Sequence, residues 1–166
     1  NWIVGGSKKK TFIGGSSKNY GGGLIIYDNN KESRFINCEF KYLNGLKFKV
    51  SQDLAPNDFF NERLIYGSIN FFQTNVSIKD SLFENINSED GLNIISSTYN
   101  VTDSFFIKTK HDAIDIDFSD GKIINLSFKN IGNDAVDFSG STSELSSLNF
   151  ENIVDKAISV GENSIL

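Results

Sequence analysis

His111-Asp112-Ala113-Ile114-Asp115-Ile116 is followed, 22 residues on, by Asn133-Asp134-Ala135-Val136-Asp137-Phe138. Both stretches carry two polar residues, a small one, and then an apolar–acidic–apolar alternation. Working outward, the same small–apolar–polar–apolar core returns as Gly91-Leu92-Asn93-Ile94, 22 residues upstream, and as Ala157-Ile158-Ser159-Val160, 22 residues downstream. Ser68-Ile69-Asn70-Phe71 precedes them at a spacing of 23. A second series falls between these: Phe83, Phe106, Phe128 and Phe150, spaced 23, 22 and 22. Each Phe has an apolar residue five positions before it (Ile78, Val101, Ile123, Leu145). Asn85, Lys108, Asn130 and Asn152 lie two positions after, followed by Ile86, Thr109, Ile131 and Ile153.

Alternation with period two, broken by Asn, Gly, Ser and Asp, is the signature of short strands joined by turns, not of helix. A leucine-rich repeat has a similar period, but its Leu-x-x-Leu-x-Leu framework is missing. The pattern predicts an all-β chain folded as a right-handed parallel β-helix, a solenoid with rungs of about 22 residues. Equivalent residues then stack about 4.8 Å apart. Leu92, Ile114, Val136 and Ile158 are expected to form one inward column and the four Phe residues another. The Asn series is expected to form a ladder of side-chain amides.

The chain of 166 residues is read as a single β-helix domain. Residues 1–45 form irregular first rungs, 46–66 a loop excursion holding the only proline, Pro56, and 67–166 the regular rungs. The long loop is either a functional segment or a tolerated insertion packing Phe59 and Phe60 over a flank. The chain has no Met, and Asn1-Trp2-Ile3-Val4 carries no signal-peptide pattern, which reads as the interior of a longer polypeptide with covalent neighbour domains. Its end at Ser164-Ile165-Leu166 falls where another rung would begin. No apolar run reaches the length of a membrane span. A net charge of −5 argues against nucleic acid, and Lys8-Lys9-Lys10 reads as a solvated turn. The single Cys38 excludes an intrachain disulfide and a multi-thiolate zinc site, and reads as a small core residue.

The repeat also sorts the polar residues into columns. Asn70, Asn93, Asp115, Asp137 and Ser159 alternate with inward apolar residues and are expected to face water. Gly67, Asp90, Asp112, Asp134 and Lys156 stand just before the strand, and Tyr66, Glu89, His111, Asn133 and Asp155 one residue earlier. Stacked carboxylates raise one another's proton affinity, so something must offset the repulsion. Three readings stay open. The Asp residues satisfy turn amides. Alternatively, Asp90, Asp112 and Asp134 hold a hard cation such as Ca2+ through oxygen ligands. In the third, Asp112, Asp134 and Asp137 are the acids of glycoside chemistry, one protonating the leaving oxygen and another activating water or attacking. The sequons at Asn75, Asn100 and Asn125 are short and unspecific.

His111-Asp112-Ala113-Ile114-Asp115 and the stretch from Asn133 to Ser141 resemble the pectin-lyase-like superfamily. They are similar to the strand bearing Asn-Thr-Asp-Gly and Asp-Asp motifs in polygalacturonase-type hydrolases. In that resemblance Asp112 matches the first acid, and Asn133-Asp134 the acid pair with its first member replaced. The chain departs from the pattern in lacking Gly-His-Gly and Arg-Ile-Lys. Its only Arg residues, Arg34 and Arg63, fall outside the regular rungs, unlike a pectate lyase. From Tyr66 to Ser164 the chain more closely resembles the β-helix region of large bacterial surface or exported proteins, often joined to spore-coat-kinase-like domains. That resemblance implies an extracellular or cell-envelope setting. Two functions are carried forward. One is a scaffold or binding module that holds a polysaccharide on the acidic sheet, with Asn93, Asp115, His111, Asn133 and Ser159 as contacts and a cation as a possible bridge. The other is a polysaccharide-modifying enzyme (glycoside hydrolase, lyase or epimerase) working through Asp112, Asp134 and Asp137.

Overall fold

Residues 2–6, 9–50 and 63–166 are described in the computed structural model, which is all strand and turn. Strands wind into a parallel β-solenoid of about 6 turns, with rungs about 23 residues apart. Each turn has three faces. Leu24–Ile36 and Ile69–Lys79 run along the first face and bend onto the second. Asp90–Ile95, Asp112–Asp117, Val136–Ser139 and Ile158–Val160 continue the first face. Thr98–Thr109 and Asp120–Ile131 pass from the second face to the third, which also holds Cys38–Asn44, Leu82–Asn87 and Asn149–Ile153.

The register matches the repeat read from the sequence. Ile69, Leu92, Ile114, Val136 and Ile158 are successive partners on the first face, and Leu24 extends that column upward. Phe35, Ile78, Val101, Ile123 and Leu145 line the second face. On the third, Phe40, Phe83, Phe106, Phe128 and Phe150 stack ring on ring, with centroids 4.7, 4.4, 5.3 and 5.2 Å apart. The first four are fully buried. Parallel in-register strands bring like side chains into van der Waals contact, so flat rings stack along the axis without gaps. Cys38 lies in this core, and burial pushes its thiol up, in keeping with a packing role.

The bends between faces are set by residues in the left-handed backbone region. Gln73, Ser96, Phe118 and Gly140 turn the chain from the first face to the second, at φ between 49 and 60°. Asn37, Asp80, Asp103, Asn125 and Ser147 turn it from the second to the third. Tyr42, Asn85, Lys108, Asn130 and Asn152 share φ of 54–57° late in the third face. Left-handed geometry costs an ordinary residue roughly 1–2 kcal/mol, and Asn and Asp tolerate it best. The expected amide ladder is therefore only partial: Asn152 Nδ2 donates to Asn130 Oδ1 at 3.1 Å, while Lys108 interrupts the series. The Asn residues recur chiefly because the backbone bends there.

Two serine ladders, which the periodicity alone did not suggest, pin the bends from inside. Thr74 N–H donates to Ser97 Oγ, Ser97 N–H to Ser119 Oγ, Ser119 N–H to Ser141 Oγ and Ser141 N–H to Ser164 Oγ, at 3.0–3.2 Å. Ser97, Ser119 and Ser141 each donate in turn to the carbonyl two residues back. At the next bend Cys38 N–H and Ser81 N–H donate to Ser81 Oγ and Ser104 Oγ, both at 3.1 Å. Each bend breaks the regular strand ladder, and a buried amide freed there needs an acceptor.

Between the third face of one rung and the first face of the next, the chain makes its excursion. Phe48–Val50 pairs antiparallel with Arg63–Ile65 as the stem of a hairpin. Pro56, Phe59 and Phe60 lie outside the described residues. Leu46 N–H donates to Gly67 O at 3.0 Å, which ties the stem to the start of the first face.

Phe128→Ala removes the middle of the ring stack and is expected to lower unfolding free energy by about 3–5 kcal/mol in urea melts. Ser119→Ala leaves the Ser97 amide without its acceptor and is expected to cost roughly 1–3 kcal/mol. Ser119→Cys, whose thiol is a poor acceptor, should recover little of that.

Candidate functional site

The outer side of the first face carries two columns. One runs Ile25, Asn70, Asn93, Asp115, Asp137, Ser159, and the other Tyr27, Phe72, Ile95, Asp117, Ser139. Cover changes sharply along them. Asn70, Phe72, Asn93 and Ile95 are only 0%, 1%, 5% and 2% exposed, whereas Asp115, Asp117, Asp137 and Ser139 are partly exposed. The expectation that Asn70 and Asn93 face water is therefore corrected. They point outward from the sheet but are buried, on the rungs next to which the excursion leaves and rejoins the solenoid. Gly67, where the excursion rejoins, also serves this packing. A Cβ there would sit 2.5 Å from Asn70 Oδ1 and 2.9 Å from the Asn93 Cβ.

Asp112 and Asp134, expected as catalytic acids and as cation ligands, are occupied in bonding to the backbone of the next rung. Asp112 Oδ1 accepts from Asp134 N–H at 2.8 Å and from Asn133 Nδ2 at 2.7 Å. Asp134 Oδ1 accepts from Lys156 N–H at 2.8 Å, and Lys156 Nζ stands 3.4 Å from both of its oxygens. Lys156 also pairs with Asp155, and the two carboxylates raise the affinity of its ammonium for the proton. Burial raises the Asp112 carboxyl, and the bonds from Asp134 N–H and Asn133 oppose that shift. This column is the turn-amide arrangement, repeated from rung to rung.

Asp90 belongs to the same column but behaves differently. Asp112 N–H bonds to Glu89 O, and the Asp90 side chain turns to Asn93, whose Nδ2 donates to Asp90 Oδ2 at 2.9 Å. Burial, and then the Asp112 charge, push the Asp90 carboxyl up to about 7. Asp115, in register with Asn93, is raised well above the carboxylate range by burial and then by Asp90, with Asp117, Asp137 and Asp112 adding to it. The strongest charges acting on both groups are carboxylates. Thus the fold brings Asp90, Asn93 and Asp115 together, with Asp117 and Asp137 beside them. His111 and Asn133 stand at the entry to the face. The His111 carbonyl accepts from Thr109 Oγ1 at 3.2 Å, and Ser159, half-buried, extends the column past Asp137. Asp117 was missed in the sequence, although its alternation with Asp115 places both on one side of a strand.

Among the described residues no group of three or more His, Cys, Asp or Glu side chains is arranged to hold a metal ion. Nor is any helix long and apolar enough to cross a membrane. Comparison with family models, with curated proteins and with solved structures finds no match to this chain.

The raised carboxyls make stability depend on pH with a defined sign. Asp90 binds its proton more tightly folded than unfolded, so its contribution is fully present below the unfolded value of 3.8 and is lost as pH rises through about 7. Asp115 and Asp112 shift in the same direction. In chelator-treated buffer the melting temperature is expected to fall between about pH 4 and pH 8. Asp90→Asn should flatten that fall, and a rise over the same range in the wild type would contradict the assignment.

Proposed function

We propose that this chain is a β-helical binding module of an exported or envelope protein, and that it holds a polysaccharide on the open part of the first face. Asp115, Asp117, Asp137, Ser139 and Ser159 form the floor, and His111 and Asn133 stand at its entry. The observation that carries this reading is the step in cover. Polar side chains in strand register pass from buried at Asn93 to partly exposed at Asp115 and Asp137. A carboxylate accepts hydrogen bonds from sugar hydroxyls, and groups held on rigid strands keep their spacing better than groups on loops. The acidity of the floor favours a neutral glycan over a uronic-acid polymer. The resemblance to β-helix regions of bacterial surface proteins supports the setting.

A hydrolytic reading draws on one specific observation. Asp115, which tends to keep its proton, neighbours Asp137 on the adjacent strand. Strands about 4.8 Å apart bring two carboxyls near the roughly 5–5.5 Å separation of retaining glycosidases. Asp112 and Asp134 suit that role less well, because an oxygen of each is bonded to the backbone.

Titration with neutral and acidic oligosaccharides, followed by backbone amide shifts, should move residues 113–118 and 135–140. Shifts confined to 99–105 and 121–127 would place binding on the second face and defeat the proposal. Asp137→Ala is expected to weaken binding about tenfold or more, a loss of at least roughly 1.4 kcal/mol. Turnover by the wild type that Asp137→Ala abolishes while binding persists would favour the enzyme.

A further inference from the structure

Among the described residues, two buried side-chain polar atoms have no hydrogen-bond partner: Asn70 Oδ1 and Asn93 Oδ1. Turning the amide over relieves neither while Asp90 is ionised. Asn70 Nδ2 donates to both Leu24 O at 3.0 Å and Gly67 O at 2.8 Å. Asn93 Nδ2 donates to Asp90 Oδ2. Exchanging O and N would set an amide oxygen against those acceptors. Both oxygens are thus fixed as acceptors with nothing to accept. They are neighbours in one column, and the Asp90 and Asp115 carboxylates join them. Unpaired acceptors beside two uncompensated carboxylates ask for a positive charge that no described side chain brings.

We propose that Asn93 Oδ1 and the carboxylates of Asp90 and Asp115 form a binding site for a hard divalent cation of the calcium class, with Asn70 Oδ1, one rung above Asn93, reached through a bound water. Three protein groups, two of them carboxylates that bind through one or both oxygens, supply three to five oxygens of a coordination shell of six to eight, and water completes it. Binding displaces the protons that burial favours on Asp90 and Asp115, and the two carboxylates then match a divalent ion. Calcium accepts such an irregular set, whereas magnesium demands a near-octahedral one and gives up its water reluctantly. Asp115 is the partly exposed member of the set, so an ion would enter past it. The ligands come from two successive rungs, and water links them to Asn70 on a third, so the ion would fasten the solenoid where the excursion joins it. This site involves no sugar and stands whether or not the glycan reading holds.

The test is thermal melting and calorimetric titration of the whole chain at neutral pH, after chelation, with CaCl2, MgCl2 or NaCl added. Calcium at a hundredfold excess over its Kd is expected to raise the melting temperature by roughly 5–10 °C, with magnesium and sodium well behind. Asp115→Asn should lose the calcium response. Asp90→Asn provides the same readout should that variant fail to fold. Asp120→Asn, on the exposed second face, should respond as the wild type does. A wild type indifferent to calcium, or an Asp115→Asn or Asp90→Asn protein that keeps the full response, overturns the site. Acid stabilisation is expected of the chelated chain in any case, so only a missing calcium response at neutral pH counts against the site.

Discussion

Everything in this fold follows from one constraint: each rung bonds through its backbone to the rungs above and below, in register, so every residue rests on its own counterpart about 4.8 Å away. A residue is acceptable only if it tolerates that neighbour. Phe on Phe is favourable, because flat rings stack and exclude water, and the column from Phe40 to Phe150 spans five rungs. Serine on serine also works, since one hydroxyl can accept an amide from one rung and donate to a carbonyl within its own. Left-handed residues must likewise sit over left-handed residues, or the bends would not coincide.

Charges obey the same rule less easily. On the second and third faces, opposite signs alternate: Lys122 sits against Glu144 and Lys129 against Glu151, both at 2.6 Å, and Lys41 against Glu84 at 3.3 Å. Such exposed pairs add little stability individually, but they avoid the cost of stacking like charges. The Asp112–Asp134 column avoids it in another way, by giving each carboxylate a backbone amide and ending on Lys156. Asp90, Asp115 and Asp137 have neither a backbone amide nor a cation of this kind among the described residues. A place where the local rules are broken without visible compensation is where function or a missing ligand is to be sought.

The excursion after Asn44 interrupts an otherwise regular winding at the upper end of this cluster. It rejoins at Gly67, where a bare Cα lets Asn70 and Asn93 pack beneath the returning backbone. Burial on those rungs and openness on the following ones divide one continuous sheet into a covered part and an accessible part. The covered part concentrates unpaired oxygens, and the accessible part presents carboxylates and hydroxyls to solvent.

The architecture was legible because a solenoid writes its register into the sequence. A period of 22 residues places Leu92, Ile114, Val136 and Ile158 in one column, with no knowledge of distant contacts needed. The serine ladders left a trace in the same period, at Ser97, Ser119 and Ser141, but hydroxyls that bond inward look like turn residues in a bare sequence. Tertiary structure decided what the outward residues meet. Asn93 and Asp115 occupy equivalent positions, yet one is buried and the other partly exposed, and Asp90 turns to Asn93 while Asp112 and Asp134 turn to the next rung's amide. The sequence by itself determined which side chains stack, because stacking depends on the repeat alone. Only the folded chain decided which of those stacks lost water and went without partners, because burial depends on segments that lie far apart in the repeat.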